Sequence, residues 1–150
     1  VACSRGAPLA RFMPVGKNMD PPLALGAASA HGPGGLPVIV AAGAPLRFAI
    51  YEPGMPMVEG AFKALIPAEL TWMVPEIVIV PLVAWDVQGG RLGYGGGYYD
   101  RTLEGLRARG PVLAIGFAFN AQQADALPLE PTDQPLDMIV TEDRVVKFSH

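Results

Sequence analysis

Lysine is nearly missing from this 150-residue chain, which carries only Lys17, Lys63 and Lys147. An anion site built from such a sequence has to draw on arginine, main-chain amides or a bound metal. Cysteine is scarcer still. Cys3 stands alone, so no internal disulfide can form, and with no secretory leader visible the expected compartment is the reducing cytoplasm. One cysteine with two histidines, His31 and His150, gives no zinc pattern. Basic surplus is lacking as well: a formal charge of -3 and a pI near 5.3 leave nothing to neutralise a phosphate backbone, which makes nucleic acid a poor partner. Nor is any apolar run long enough for a bilayer. The most apolar one, residues 74–85, is broken by Pro75, Glu76 and Pro81, so a soluble protein with no membrane partner is expected.

What the sequence has is apolar content, 51% against 17% charged residues, in a length suited to one globular domain with a substantial core. Repeats and low-complexity tracts are not found. Residues 1–3 are strand-like, and Asp20-Pro21-Pro22 reads as an N-cap with first-turn prolines opening a short helix over 23–30, closed near Gly32. Residues 36–40 and 46–51 predict a hairpin across Ala42-Gly43-Ala44-Pro45. The stretch 52–69, rich in proline and glycine and without periodicity, predicts a long irregular loop. Ile77-Val78-Ile79-Val80 predicts a strand buried on both faces, leading directly to a glycine cluster. Residues 99–109 then predict a helix stopped by Gly110, residues 112–119 a buried strand and 122–126 one helical turn. Residues 138–141 and 145–148 supply the last extended pieces. Strand, helix and strand in that order predict an α/β fold with an open, largely parallel sheet flanked by helices. Ligands of such sheets bind beyond the carboxyl ends of the strands.

The glycine cluster reads Arg91-Leu92-Gly93-Tyr94-Gly95-Gly96-Gly97-Tyr98-Tyr99-Asp100-Arg101. Glycines permit positive φ and close approach of amides to an anion, and the following helix offers its positive end, so a phosphate fits there. The dinucleotide fingerprint needs glycine where Tyr98 stands, and the Walker loop needs a lysine that the segment lacks. Taken alone, the cluster reads first as a turn that needs glycine for geometry. On the same footing Asp100 reads first as a residue favoured at a helix start, and Asp133 as a turn initiator before Pro135.

The flanking residues carry a resemblance. Val80-Pro81-Leu82-Val83-Ala84-Trp85-Asp86, Gly90, and the run from Arg91 to Leu103 are similar, nearly without a break, to the 5-formyltetrahydrofolate cyclo-ligase family. The likeness continues through Ile115-Gly116-Phe117-Ala118-Phe119, Gln122, Leu127-Pro128, Glu130-Pro131, Asp133, Leu136-Asp137 and Ile139-Val140-Thr141-Glu142. Weaker matches reach back to Leu36-Pro37-Val38, Pro45-Leu46-Arg47-Phe48, Pro53-Gly54 and Gly60-Ala61-Phe62. The resemblance implies a single domain with the three-layer NagB/RpiA/CoA-transferase-like architecture. It implies ATP- and Mg2+-dependent closure of 5-formyltetrahydrofolate to 5,10-methenyltetrahydrofolate, with release of ADP and phosphate. The implied partners are reduced folate and ATP, and the implied state is a monomer or weak homo-oligomer. Carried over by position, Gly93, Tyr94, Gly95, Gly96, Gly97 and Tyr98 would bind ATP together with Arg91, and Asp100 and Asp133 would hold magnesium. Asn18, Phe62 and Tyr99 would meet the folate, and Arg91, Tyr99 and Asp100 would carry the catalysis.

Departures from the family pattern accompany the match. The family's opening helical segment, with its basic phosphate contact, is expected to be missing ahead of Val1-Ala2-Cys3. Asn18 stands where a folate-contacting glutamate is expected, Gly96 where many relatives have lysine, Ile66 where an acid is expected and Thr132 where a histidine is expected. Arg101 is expected to pair with a carboxylate of its own helix. Two readings follow: an active ligase, or an impaired relative that binds folate or nucleotide without turnover.

Overall fold

The computed structural model describes residues 9–10, 34–61 and 64–148. At its centre is β7, Ile77–Val80, with all four residues buried. A continuous β-branched run suits this position, because a strand covered on both faces has no polar side to present. Parallel to β7 lie β10 (Leu113–Phe117) on one side and β1 (Leu9–Ala10) on the other. Parallel pairing extends outward to β11 (Met138–Val140) beside β10 and to β2 (Gly34–Val38) beside β1. Both margins are antiparallel: β12 (Val145–Lys147) pairs with β11, while β3 (Arg47–Tyr51) pairs with β2 and then with β6 (Trp72–Met73). The eight-stranded order is therefore β12-β11-β10-β7-β1-β2-β3-β6. The fold is mixed α/β with a partly parallel sheet, as the strand and helix signals imply.

Period-two alternation along β7 divides the core. Val78 and Val80 pack with Leu82, Trp85, Ala114 and Leu136 in the larger cluster, which also receives Leu103 of α1 (Tyr98–Arg109). Ile77 and Ile79 point the other way and join Phe117. Helix α1 stands between β7 and β10, and these two strands are parallel neighbours, so the segment joining them has to cross over the sheet.

Several expectations need correction. Residues 52–69 are not one irregular loop: β4 (Met57–Glu59) and β5 (Leu65–Pro67) form an antiparallel hairpin within them. Each strand is three residues long and half exposed, too short for alternation to show in the sequence. The turn expected at 122–126 instead lies at Asn120–Gln122, as a 3-10 turn. The Gln122 side chain fixes it, accepting from the Phe119 amide at 2.7 Å and donating to the Leu82 and Val83 carbonyls. The step from β7 to the glycine cluster is not direct, since β8 (Ala84–Trp85) and β9 (Arg91–Leu92) make a small hairpin between them. The expected strand at 1–3 and helix at 23–30 lie outside the described residues.

Candidate functional site

The β8–β9 hairpin turns on Asp86, which is buried and whose Oδ1 accepts from the amides of Gln88 and Gly90, each at 2.9 Å. A side chain at Gly90 would collide with the same carboxylate, its Cβ falling 2.5 Å from Oδ2. This turn delivers Arg91 into the interior, with a side chain only 4% exposed. Its Nη1 donates to the Pro81 carbonyl at 2.8 Å and its Nη2 faces Asp100 Oδ1 at 3.4 Å, while its guanidinium carbon lies 5.9 Å from the Tyr99 ring. Nε is buried without a partner among the described residues. Nη1 also lies 2.8 Å from where a Cβ on Gly93 would stand, so the cation is lodged against the glycine segment. Two of its nitrogens are thus already committed, and it offers an anion mainly its field.

Beyond Gly93 the chain turns through Gly95 (φ 97°) and Gly97 (φ 69°), conformations that side chains with a Cβ rarely adopt. Gly97 is the N-cap of α1 and contributes no side-chain cap. No acceptor among the described residues takes up the amides of Gly93, Gly95, Gly96 or Gly97. Unclaimed amides at the positive end of a helix form an anion-binding concavity. Arg101, one turn into the helix, does not pair with a carboxylate of its own helix as expected, and no such partner exists among the described residues. It folds back instead, donating from Nη2 to the Gly96 carbonyl at 2.8 Å, with its guanidinium carbon 5.0 Å from the Tyr98 ring.

A cavity of about 740 Å³ opens in front of this loop. Val38 and Leu46 of the β2–β3 hairpin, Ile66 of β5 and the first turn of α1 line it, together with Glu130 and Asp133. Asp100 and Asp133, separated in sequence, therefore face one space. Each commits a single oxygen: Asp100 Oδ1 accepts from the Gln134 amide at 3.0 Å as well as from Arg91, and Asp133 Oδ2 accepts from the Glu130 amide at 2.8 Å. The other oxygen of each has no partner among the described residues. The described lining contains two guanidiniums, Arg91 and Arg101, against four carboxylates, Asp100, Glu104, Glu130 and Asp133. Such a space repels a polyphosphate unless a cation intervenes, and the free carboxylate oxygens are hard ligands suited to magnesium, which keeps most of its waters. Among the described residues no group of three or more metal-ligating side chains gathers, so a magnesium ion here would rest on these two carboxylates, its own waters and the phosphates.

Tyr98 and Tyr99 both line the cavity, and Tyr94 is largely exposed beside it. Burial pushes the Tyr99 phenol far above the ordinary tyrosine range, with the Arg91 cation opposing the shift. An unfolded tyrosine ionises near pH ~10 whereas this one stays neutral, so its contribution to stability is complete below that pH and is lost as pH rises further. Alkaline absorbance titration of Tyr99→Phe is accordingly expected to overlay that of the parent until the chain unfolds. A missing phenolate step in the variant's native range would show the opposite.

Asn18 and Phe62, expected at the folate, lie outside the described residues, although Ala61 and Ala64 on either side of the β4–β5 tip line the cavity. Ile66 and Thr132, two of the departures from the family pattern, line it as well. Sequence reasoning missed Glu104 and Glu130 as cavity groups and Arg101 as a contact of the loop. The i, i+5 spacing from Gly96 to Arg101 across a helix start is the only signal that pointed to the last of these.

A model of the 5-formyltetrahydrofolate cyclo-ligase family matches residues 36–142. A 5-formyltetrahydrofolate cyclo-ligase of Haemophilus influenzae is 39% identical over 101 residues, which cover 63% of this chain and 54% of that protein. The protein of the same name from Mycolicibacterium smegmatis is 34% identical over 106 residues, covering 67% of this chain and 53% of its own length. The chain thus spans about half the length of these curated relatives. Among solved structures, the 5,10-methenyltetrahydrofolate synthetase of Aquifex aeolicus superposes with a TM-score of 0.77 at 28% identity, covering 97% of this chain and 73% of that one. A 5,10-methenyltetrahydrofolate synthetase from Mycoplasma pneumoniae shares the fold with a TM-score of 0.62 at 23% identity, over 90% of this chain and 73% of its own.

Proposed function

The chain belongs to the 5-formyltetrahydrofolate cyclo-ligase family, and from that premise we propose that it closes 5-formyltetrahydrofolate to 5,10-methenyltetrahydrofolate at the expense of ATP. The observation that carries this reading is the row of glycine amides at the start of α1 with no acceptor among the described residues, on a loop that lines one cavity with Asp100 and Asp133. The formyl oxygen takes the γ-phosphoryl group from ATP, releasing ADP. N10 then attacks the activated carbon and the phosphate leaves with that oxygen.

Little acid-base machinery is needed, so the protein's contribution is to position two substrates and to balance charge. Amides of Gly95, Gly96 and Gly97, with the positive end of α1, hold the triphosphate, and Arg91 supplies positive field from behind Gly93. Val38, Leu46 and Ile66 give the apolar wall, and the Tyr99 ring packs on the flat rings of the folate. A magnesium ion held by Asp100 and Asp133 would neutralise charge on the transferring phosphoryl oxygens. The same reading includes the three-layer NagB/RpiA/CoA-transferase-like architecture, a cytoplasmic location and a monomer or weak homo-oligomer acting on small molecules.

Absorbance of methenyltetrahydrofolate gives the test. The protein with ATP, magnesium and 5-formyltetrahydrofolate is expected to form it, and no product at high enzyme concentration would leave an impaired relative that only binds. In Asp133→Asn, nucleotide affinity in the presence of magnesium should fall ~10-fold to 100-fold, while Tm moves by less than about 3 °C because the replaced oxygen supports only a local turn. If the variant unfolds instead, Asp133 is structural.

A further inference from the structure

Two contacts hold Arg101, its Nη2 donating to the Gly96 carbonyl and its guanidinium lying over the Tyr98 ring, and the absent Cβ of Gly97 leaves it room, since that atom would stand 2.7 Å from Nη1. Its Nε is buried with no partner among the described residues. In a trans peptide the carbonyl and the following N–H point in opposite directions, and this chain has no cis peptide among its described bonds. Holding the Gly96 oxygen therefore directs the Gly97 N–H away from Arg101.

Glycine peptides flip readily because neither neighbour carries a Cβ to oppose the rotation. Gly95, Gly96 and Gly97 would otherwise sample orientations in which the oxygen faces an incoming anion. We propose that Arg101 is a positioning residue of the phosphate loop, locking the Gly96–Gly97 peptide so that its amide, and not its carbonyl, is presented to the triphosphate. The inference deepens the ligase reading and rests on it for the identity of the anion. It assigns Arg101 a role through the main chain, distinct from pairing with a carboxylate.

The test uses the full chain, labelled with nitrogen-15 and free of ligand, as Arg101→Met and Arg101→Lys. In Arg101→Met the amide resonances of Gly96 and Gly97 shift or broaden before any nucleotide is added. ATP then binds ~10-fold to 100-fold more weakly, the range of one charge-assisted hydrogen bond, with folate affinity within ~3-fold of the parent. Lysine restores a donor within reach of the Gly96 oxygen, so Arg101→Lys recovers most of the affinity and the parental glycine resonances. Glycine resonances unmoved in Arg101→Met overturn the proposal, as does ATP affinity unchanged despite their movement. If the parent binds ATP but forms no methenyltetrahydrofolate, the ligase reading fails, while the loop assignment is still decided by the glycine resonances and the ATP titration.

Discussion

Replacing Gly97 by valine is expected to lower kcat/KM for ATP by ~100-fold to 1000-fold, the scale seen when one preorganised donor is removed from an anion site. Gly97 has φ 69°, a region that a β-branched residue reaches only under strain, and a new Cβ would press on Arg101 Nη1 at 2.7 Å. Both effects act on the same peptide. The backbone strain itself costs ~1–3 kcal/mol, so urea unfolding should show a reduced but cooperative transition. Steady-state rates at saturating folate and varied ATP give the larger number. A Gly97→Val protein with the parent's kcat/KM would mean that the loop does not bind phosphate.

Trp85→Ala is the counterpart, with a large effect on stability and no direct contact with the chemistry. Trp85 is fully buried in the larger core cluster, and its Nε1 donates to the Phe119 carbonyl at 3.3 Å. Removing the ring loses this burial and opens a cavity between β8 and the 3-10 turn, at ~3–5 kcal/mol. Since a domain's whole stability is ~5–15 kcal/mol, the variant should lose most of its margin. The urea midpoint followed by far-ultraviolet circular dichroism is the measurement, and a midpoint close to the parent's would place Trp85 outside the cooperative core.

How far the sequence disclosed the molecule depended on the length of each signal. Ile77–Val80, the twelve-residue helix and the β2–β3 hairpin were legible because each carries its own pattern, whether β-branching, a helical face or a glycine-proline turn. The two- and three-residue strands β4, β5, β6, β8 and β9 were not, because pairing with a partner strand defines them and periodicity has no room to show. For β8–β9 a cue was present in Asp86-Val87-Gln88-Gly89-Gly90, an acid that caps its own turn followed by glycines.

The candidate site was legible as a glycine cluster with two aspartates, and the structure brings both aspartates to the cavity that the cluster faces. What stayed hidden was the allocation of the arginines. Arg91 is spent largely on Pro81 and on Asp100 in the first turn of α1, and Arg101 on the main chain of the loop, pairings that residue type alone does not announce.

The position of Leu9–Ala10 has a consequence for how the chain assembles. The segments that follow it build two sheet halves, β2-β3-β6 and β12-β11-β10-β7, and among the described residues these are joined within the sheet order through this one pair of residues. Neither half completes the sheet alone, and the strand that unites them is separated from β7 by most of the intervening chain. Seating it against β7 closes a long loop, an entropic cost that slows folding. Any shortened form that loses those two residues would leave a pair of half-sheets with bare facing edges, a combination prone to pairing between molecules.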